Sequence, residues 1–160
     1  MAEALATKVH KGQTRIGGAP YITHPRNVVN LLKEIGIKDE NILSAAWLHD
    51  AIEDSDDKTV RETISKEINP EVAETVEKLS RSGDTHAYKS REEYKHRILS
   101  ACYDVQIIKL ADFIDNCSTL SMLPQGKRDR KINDLPFYTS LAKKISPEFY
   151  AKLKAIKDSI

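Results

Sequence analysis

One stretch of this 160-residue chain, AAWLHDAIED at residues 45–54, places four ionisable side chains in an otherwise apolar segment. On a continuous α-helix, His49 and Glu53 are four residues apart, as are Asp50 and Asp54, so both pairs share one face. Burying an imidazole beside a carboxylate is costly unless the charge is paired, and a divalent cation is a suitable partner. The pattern indicates a hydrolase, although a solvated helix end capped by Asp54 would explain the same residues.

Apolar residues recur at helical spacing along almost the whole chain, for example within residues 28–35 and 42–47. No segment shows the sustained alternation that predicts a strand. Proline at positions 25, 70 and 147 suits the first position of a helix, and residues 90–93 match a capping box. We therefore predict an all-α fold of eight or nine helices, with approximate bounds 2–11, 25–35, 39–53, 58–67, 70–81, 90–102, 104–122, 131–144 and 147–157.

Length and composition predict a single domain over residues 1–160 that acts in the cytoplasm. Lys and Arg total 25 against 24 for Asp and Glu, so the formal charge of +1 argues against an extended nucleic-acid surface but leaves a local basic pocket open. No window approaches the ~20 apolar residues of a membrane span, and the first residues lack the charged start and apolar stretch that predict a signal peptide. Cys102 and Cys117 are predicted to be reduced thiols in the core.

A second acidic site lies in a strongly apolar helix, where Asp112 is followed at helical spacing by Asn116 and Thr119. His24 precedes Pro25, just after an irregular loop rich in glycine. Taken singly, Asp112 suits an ion pair and His24 suits a cap or turn. Combined with the His49-Asp50 doublet, they give two imidazoles and two carboxylates, a set that suits Mn²⁺ with positions left for water or phosphate oxygens.

The order of His24, His49-Asp50 and Asp112 resembles that of the HD-domain metal-dependent phosphohydrolases, which implies an HD-type helical bundle. Finer motifs resemble the hydrolase domain of the RelA/SpoT alarmone proteins and the small alarmone hydrolases. These motifs are HKGQTR at 10–15, PYITHP at 20–25, the pair Glu53-Asp54, and KLAD at 109–112 with its following Asn and Thr. The similarity extends from about residue 4 to residue 122.

The resemblance implies roles for nine side chains. Four would hold Mn²⁺, namely His24, His49, Asp50 and Asp112. Glu53 and Asp54 would position or deprotonate the attacking water, and Asn116 would assist at the phosphate. Arg15 matches a position that packs against guanine, and Thr119 matches one that hydrogen-bonds in the nucleotide pocket.

The implied reaction is hydrolysis of the 3′-diphosphate of guanosine tetra- or pentaphosphate, yielding GDP or GTP and pyrophosphate. The expected partner is therefore a small guanine nucleotide. Two alternatives stay open. In the first alternative, the same site acts on another nucleotide with a 2′- or 3′-phosphate, on a phosphorylated cofactor or on a tRNA end. The second alternative is a module that senses a nucleotide without turnover, against which the intact pair Glu53 and Asp54 argues.

The chain departs from the pattern of the RelA/SpoT hydrolase domain at Phe113, Asp115, Ile16 and Ser118. In that domain a basic residue often stands at the positions of Phe113, Ile16 and Ser118, and His or Tyr at the position of Asp115. The departures remove positive charge and therefore predict weaker attraction for a highly charged ligand. Lys78 and Arg81 are candidates for phosphate contact, with simple solvation as the alternative. The basic loop 126–131 is a further candidate for contact with phosphate or a partner, but we predict that it is a solvated turn before the next helix. An apolar stripe in the last two helices is predicted to close the bundle, and an exposed part of it would suit a homodimer.

Overall fold

The computed structural model of the chain describes residues 1–81 and 88–160, with side chains from residue 91 onward in the second range. Nine α-helices occupy these ranges, together with a short 3₁₀ helix at Leu120–Met122. The α-helices are α1 Ala2–Val9, α2 Thr23–Glu34, α3 Glu40–Leu48, α4 Val60–Glu67, α5 Pro70–Leu79, α6 Tyr88–Ser100, α7 Tyr103–Cys117, α8 Gln125–Ile145 and α9 Pro147–Asp158.

Two helices begin where their proline predicts. The side chain of Asn69 accepts a hydrogen bond from the Val72 amide at 2.9 Å, which caps α5 directly before Pro70. Ser146 caps α9 in the same way, before Pro147. The third start is wrong, because α2 begins at Thr23 rather than at residue 25. The predicted capping box rests on the side chain at position 90, which lies outside the described residues.

Helix α7 forms the centre of the bundle and contacts α2, α3, α5, α6, α8 and α9. Every residue from Ile107 to Asp115 is buried, so this helix is enclosed on all sides and its polar residues need partners within the protein. Within the described ranges the only extended pairing is an isolated bridge between Thr14 and Pro20. The predicted all-α fold is confirmed.

Three helix ends differ from prediction. Helix α3 ends at Leu48, where the Ala51 amide bonds to the Leu48 carbonyl in a tighter turn, so residues 49–53 do not continue the helix as predicted. Helix α7 ends at Cys117 instead of residue 122. Helix α8 begins at Gln125, so the basic segment 126–131 is helical rather than a turn.

The last two helices close the bundle as predicted. Phe149 and Leu153 of α9 are fully buried, and Leu141 of α8 is nearly so. Of the two cysteines, Cys117 is a buried thiol as predicted, whereas Cys102 is exposed and that prediction is wrong. None of the helices that the structure describes has the length and hydropathy needed to cross a membrane.

Candidate active site

Four side chains from three parts of the chain converge on one point. His24 of α2 lies with its Nε2 atom 3.1 Å from His49 Nε2 and 3.1 Å from Asp112 Oδ1. Asp50 brings its Oδ2 atom to 3.1 Å from His49 Nε2 and 3.5 Å from His24 Nε2. Atoms that bind one ion from adjacent positions at ~2.1 Å each lie about 3 Å apart, so these separations fit a shared metal ion.

The hydrogen bonds on the far side of each ring decide where its lone pair points. His24 Nδ1 lies 2.6 Å from an oxygen of Asp115, and His49 Nδ1 lies 2.8 Å from the carbonyl of Ala46. Both oxygens only accept, so each neutral ring carries its proton on Nδ1 and turns a lone pair at Nε2 toward the cluster. Two nitrogen and two oxygen lone pairs that face one buried point repel each other unless a cation lies between them. This donor set fits a divalent first-row metal ion.

Burial and neighbouring opposite charges shift the pKa values of all four side chains in the cluster. Burial opposes charge on His24 and His49, but the carboxylates of Asp112 and Asp50 outweigh it and raise the pKa of both imidazoles. Burial likewise opposes ionisation of Asp50 and Asp112, yet His49 and Lys109 hold the pKa of these carboxyls well below the usual range. The site therefore combines ionised carboxylates with a strong demand for positive charge.

Asp112 has two further partners on its own helix. Lys109, one turn earlier, donates from Nζ to Asp112 Oδ2 at 2.5 Å, and Asn116, one turn later, donates to Oδ1. Lys109 is buried, so its ammonium depends on this carboxylate and on the ring of Tyr94, whose centroid lies 5.3 Å away. The predicted shared face of Asp112 and Asn116 is confirmed. Thr119 follows the helix, and its hydroxyl donates to the Asn116 carbonyl at 3.2 Å.

Glu53 and Asp54 lie exposed at the rim of the site, in the turns that follow α3. A carboxylate oxygen of Glu53 accepts a hydrogen bond from the Arg81 amide at 2.9 Å, which ties this turn to the end of α5. Partial burial, together with the charge of Asp50, raises the pKa of both carboxyls. The prediction that a helical face aligns these residues with His49 and Asp50 is wrong. The Asp54 amide nevertheless bonds to the Asp50 carbonyl at 2.9 Å, so both pairs stay within one compact turn.

The loop between α1 and α2 folds over the cluster. The Arg15 amide bonds to the Ala19 carbonyl at 2.8 Å, and Gly17 and Gly18 adopt φ values of +96° and +84°, which favour glycine. This turn holds the Arg15 guanidinium against Asp115, with 2.5 Å between Nη1 and Oδ2. Farther along the loop, the Tyr21 hydroxyl donates to Asp50 Oδ2 at 2.6 Å.

A cavity of about 180 Å³ opens beside the cluster, with Asp112 and Asn116 in its wall. Six basic side chains line it, against two carboxylates. Lys109 pairs with Asp112, and Arg91 pairs with Asp134 at 2.8 Å. The other four have no ion pair within the described part of the chain, and they are Arg81, Lys127, Arg130 and Lys131. Such a cavity attracts a multiply charged anion.

The cavity corrects one prediction about charge and leaves a second one untested. The segment 126–131 was expected to be a solvated turn, but as the start of α8 it brings three cations into the cavity wall. The substitution of Phe113 for a basic residue was expected to weaken attraction for phosphate. Phe113 stacks on Tyr138, with 3.9 Å between ring centroids, and Lys131 lies over the Phe113 ring at 6.0 Å. Lys78 is exposed and pairs with Glu74, whereas Arg81 lines the cavity.

Three contributors were given no individual role from the sequence, namely Tyr21, Asn27 and Lys109, although Tyr21 and Lys109 lie in the quoted motifs. Helical spacing could have indicated two of them, because Asn27 follows His24 by three residues and Lys109 precedes Asp112 by three, which places each pair on one face of a helix. Asn27 donates to Asp115 at 2.8 Å. Tyr21 had no such signal, since its contact with Asp50 depends on how the loop folds.

A helical bundle with a buried His and Asp cluster beside a basic cavity defines a metal-binding, phosphate-handling class of protein. The model of the HD domain family matches residues 2–145. The chain belongs to this HD domain family.

The chain is similar to longer proteins and to solved structures of about its own size. It is 37% identical over 149 residues to a guanosine-3′,5′-bis(diphosphate) 3′-pyrophosphohydrolase of Aquifex aeolicus, covering 90% of this chain and 21% of that protein. It is 35% identical to the bifunctional (p)ppGpp synthase/hydrolase SpoT of Escherichia coli K12, with 90% and 21% covered. The chain therefore spans about a fifth of the length of these relatives. A structure of a metazoan SpoT ortholog that hydrolyses ppGpp matches with a TM-score of 0.88 and 25% identity, over 99% of this chain and 92% of that one.

Proposed function

We propose that this protein hydrolyses the 3′-diphosphate of guanosine tetra- or pentaphosphate. A water oxygen attacks the phosphorus next to the ribose, the bond from that phosphorus to the 3′ oxygen breaks, and the 3′ oxygen takes up a proton. The products are pyrophosphate and GDP or GTP. The names of the relatives support this reaction, and so does the metazoan ortholog, which has about the same length as this chain.

One observation carries the proposal: a metal-type donor set shares the Asp112 and Asn116 wall with a cavity lined by six cations. A substrate with a diphosphate at the scissile bond and further phosphates elsewhere needs both features, one to react and one to hold charge. A neutral or singly charged substrate would not supply enough negative charge for the four cations that have no ion pair among the described residues.

His24, His49, Asp50 and Asp112 would hold the ion, and we propose Mn²⁺. When bound, a divalent ion supplies Lewis acidity, lowering the pKa of coordinated water and neutralising charge on the phosphoryl oxygens. Among the protein's own groups, Glu53 and Asp54 stand at the rim with raised pKa values, where a carboxylate can accept a proton from the attacking water.

The remaining proposed roles concern binding. Asn116, in the wall that the two sites share, would hydrogen-bond the phosphate near the scissile bond. The unpaired cations of α8 would hold the phosphates that do not react. Arg15 and Thr119 would contact the guanine nucleotide, as the resemblance implies. Thr119 is not one of the described residues that line the cavity, so any contact it makes lies at the margin of the site.

A second candidate keeps the site and changes the nucleotide. The cavity offers charge but few groups that would distinguish one base from another, which favours a broader class of substrates with a 2′- or 3′-phosphate. Phosphorylated cofactors and tRNA ends belong to this class. A nucleotide sensor without turnover is the third possibility, and the same experiment separates all three.

The test uses protein stripped of metal with a chelator and then given Mn²⁺ and guanosine tetraphosphate, with products separated by chromatography. The proposal expects GDP and pyrophosphate in equal amounts, only with metal and only from protein with an intact Glu53. Failure to turn over this substrate, combined with hydrolysis of another 2′- or 3′-phosphorylated nucleotide, would establish the second candidate. Tight binding without any turnover would establish the sensor.

A further inference from the structure

Asp115 is the one carboxylate of α7 that contacts both the metal-type cluster and the loop above it. It is 6% exposed and accepts three hydrogen bonds. They come from His24 Nδ1 at 2.6 Å, from Arg15 Nη1 at 2.5 Å and from Asn27 Nδ2 at 2.8 Å. The first two hydrogen bonds share the single oxygen Oδ2, so any movement of that oxygen changes the geometry of both.

The contact with His24 bears on metal affinity. A carboxylate behind an imidazole fixes its tautomer, holds the orientation of its ring and makes its other nitrogen a stronger ligand. Here the proton is held at Nδ1 and the lone pair at Nε2 faces the cluster. His49 has only a neutral carbonyl in the equivalent place, that of Ala46. His24 is therefore the imidazole whose ligand strength depends on a charged partner.

The contact with Arg15 bears on the nucleotide. Arg15 belongs to the turn closed by Gly17 and Gly18, and its contact with Asp115 joins that turn to a helix 100 residues later in the chain. The Arg15 side chain is 11% exposed, so its guanidinium has lost most of its freedom of movement before any ligand arrives. A preordered guanidinium gives up little entropy when a base or phosphate packs against it.

We propose that Asp115 is a positioning residue that serves two functions at once: it sets metal affinity through His24 and nucleotide affinity through Arg15. The second half rests on the proposed function, whereas the first half concerns metal binding alone. The resemblance to the RelA/SpoT hydrolase domain leads us to expect His or Tyr at this position, and neither supplies a permanent negative charge. The structure therefore assigns this dual role to one of the four residues at which this chain departs from the RelA/SpoT pattern.

The first test is metal binding without substrate. Asp115→Asn keeps the shape of the side chain but loses its charge, so the Kd for Mn²⁺, measured by calorimetry, should rise roughly 10- to 100-fold. The absorption spectrum of bound Co²⁺ should shift as the ligand field at His24 changes. Arg15→Met removes only the second donor to Asp115 Oδ2 and leaves its carboxylate behind His24, so its Mn²⁺ Kd should change much less than that of Asp115→Asn. Asp104→Asn is the matched control, since Asp104 lies on the same helix about 16 Å from Asp115 along its axis. An unchanged Kd in Asp115→Asn would overturn the first half.

The second test is a double-substitution cycle in KM at saturating Mn²⁺. If Asp115 acts on the nucleotide only through Arg15, Asp115→Asn and Arg15→Met should raise KM by similar factors, and the double variant should match Arg15→Met alone. Factors that multiply in the double variant would overturn the coupling. If no variant or wild-type protein turns over the nucleotide, the proposed function fails while the metal measurement still decides the role of Asp115. The double variant leaves no unpaired guanidinium, so it allows that measurement even if Asp115→Asn is unstable.

Discussion

His24 is the residue at which the parts of the site meet. Its Nε2 atom faces His49, Asp112 and the Asp50 carboxylate, its Nδ1 proton is held by Asp115, and its ring packs edge-on against Tyr21 with 5.8 Å between centroids. Only 2% of the His24 surface is exposed, so water cannot replace these hydrogen-bond partners. A single imidazole thus links α2, α7 and the turn after α3.

At the scale of single residues, metal binding and turnover should separate. Asp50→Ala removes a donor atom that lies 3.1 Å from His49 Nε2, so both Mn²⁺ binding and hydrolysis should be lost. Glu53→Ala leaves the four donors intact and removes a proton acceptor, so Mn²⁺ should still bind while kcat falls about 10²- to 10⁴-fold. Calorimetry and product chromatography measure the two effects. Asp56→Ala, in the same exposed segment, is the control, and full activity in Glu53→Ala would refute the role of that carboxylate.

The Tyr21 hydroxyl should also matter for metal affinity. Tyr21→Phe removes the donor 2.6 Å from Asp50 Oδ2 and leaves the ring in place, so this ligand loses its orienting partner. We expect the Mn²⁺ Kd to rise roughly 10-fold, in the range found for such outer contacts. Tyr103→Phe is the control because that side chain is 45% exposed. Equal affinities in both variants would mean that Asp50 is oriented by its backbone alone.

The donor residues of the cluster could be predicted from the sequence because unpaired polar groups are conspicuous in apolar helices. The supporting contacts were harder to predict for different reasons. Lys109 and Asn27 follow a simple three-residue spacing, whereas the contact between Arg15 and Asp115 spans 100 residues and depends on the path of a loop. No local pattern encodes such a contact.

At the scale of elements, α8 is the helix that gives the cavity its charge. Its first two turns carry Lys127, Arg130 and Lys131 into the wall shared with Asp112. Burial lowers the pKa of Lys131, as expected for an ammonium that has no ion pair within the described part of the chain. A bound phosphate would supply the missing negative charge.

Substitution on α8 should affect binding rather than the chemical step. Lys131→Met should raise KM for guanosine tetraphosphate about 10-fold with little change in kcat, since a charge-assisted hydrogen bond contributes ~1.5–3 kcal/mol. The effect should shrink as salt concentration rises. Lys143→Met, in the exposed last turn of the same helix, is the control. If kcat falls and KM does not change, Lys131 contacts the reacting phosphate rather than a distant one.

The ends of the helices were predicted least well, and the site lies at those ends. The end of α3 at Leu48 places His49 and Asp50 in a turn rather than on a helical face, so the spacing argument identified the correct residues with the wrong geometry. The start of α8 was missed because a run of Lys and Arg looks like a solvated turn unless its cavity is known. Helix interiors, by contrast, follow from apolar periodicity alone.

At the scale of the whole molecule, one buried core extends from α1 to α9. We propose on this basis that residues 1–160 form a single domain. Phe149 of α9 is fully buried, so Phe149→Ala should lower the free energy of unfolding by about 3–5 kcal/mol in chemical denaturation. Lys154→Ala, at an exposed position of the same helix, should change it little. A homodimer through the surface of the last two helices stays a prediction, which sedimentation of the purified protein would test.

Metal should stabilise the whole fold because it relieves repulsion at the centre of the bundle. At 100 times its Kd, a ligand that binds only the folded state adds ~2.7 kcal/mol, which corresponds to a rise in Tm of about 5–10 °C for a protein of this size. Differential scanning fluorimetry with Mn²⁺ and with chelator measures the shift. Asp50→Ala should show no shift. A wild-type Tm that does not respond to the ion would contradict the assignment of the cluster.

The positions of the four donors also bear on how the protein is made. His24 and Asp112 lie 88 residues apart in the chain, yet their side chains approach to 3.1 Å. The ribosome must therefore synthesise most of α7 before Asp112, the last donor, is present. A shorter nascent chain carries His24, His49 and Asp50 but lacks the carboxylate of Asp112. The ion can stabilise the protein only after most of the chain has been synthesised, so the early helices must find their places by apolar packing alone.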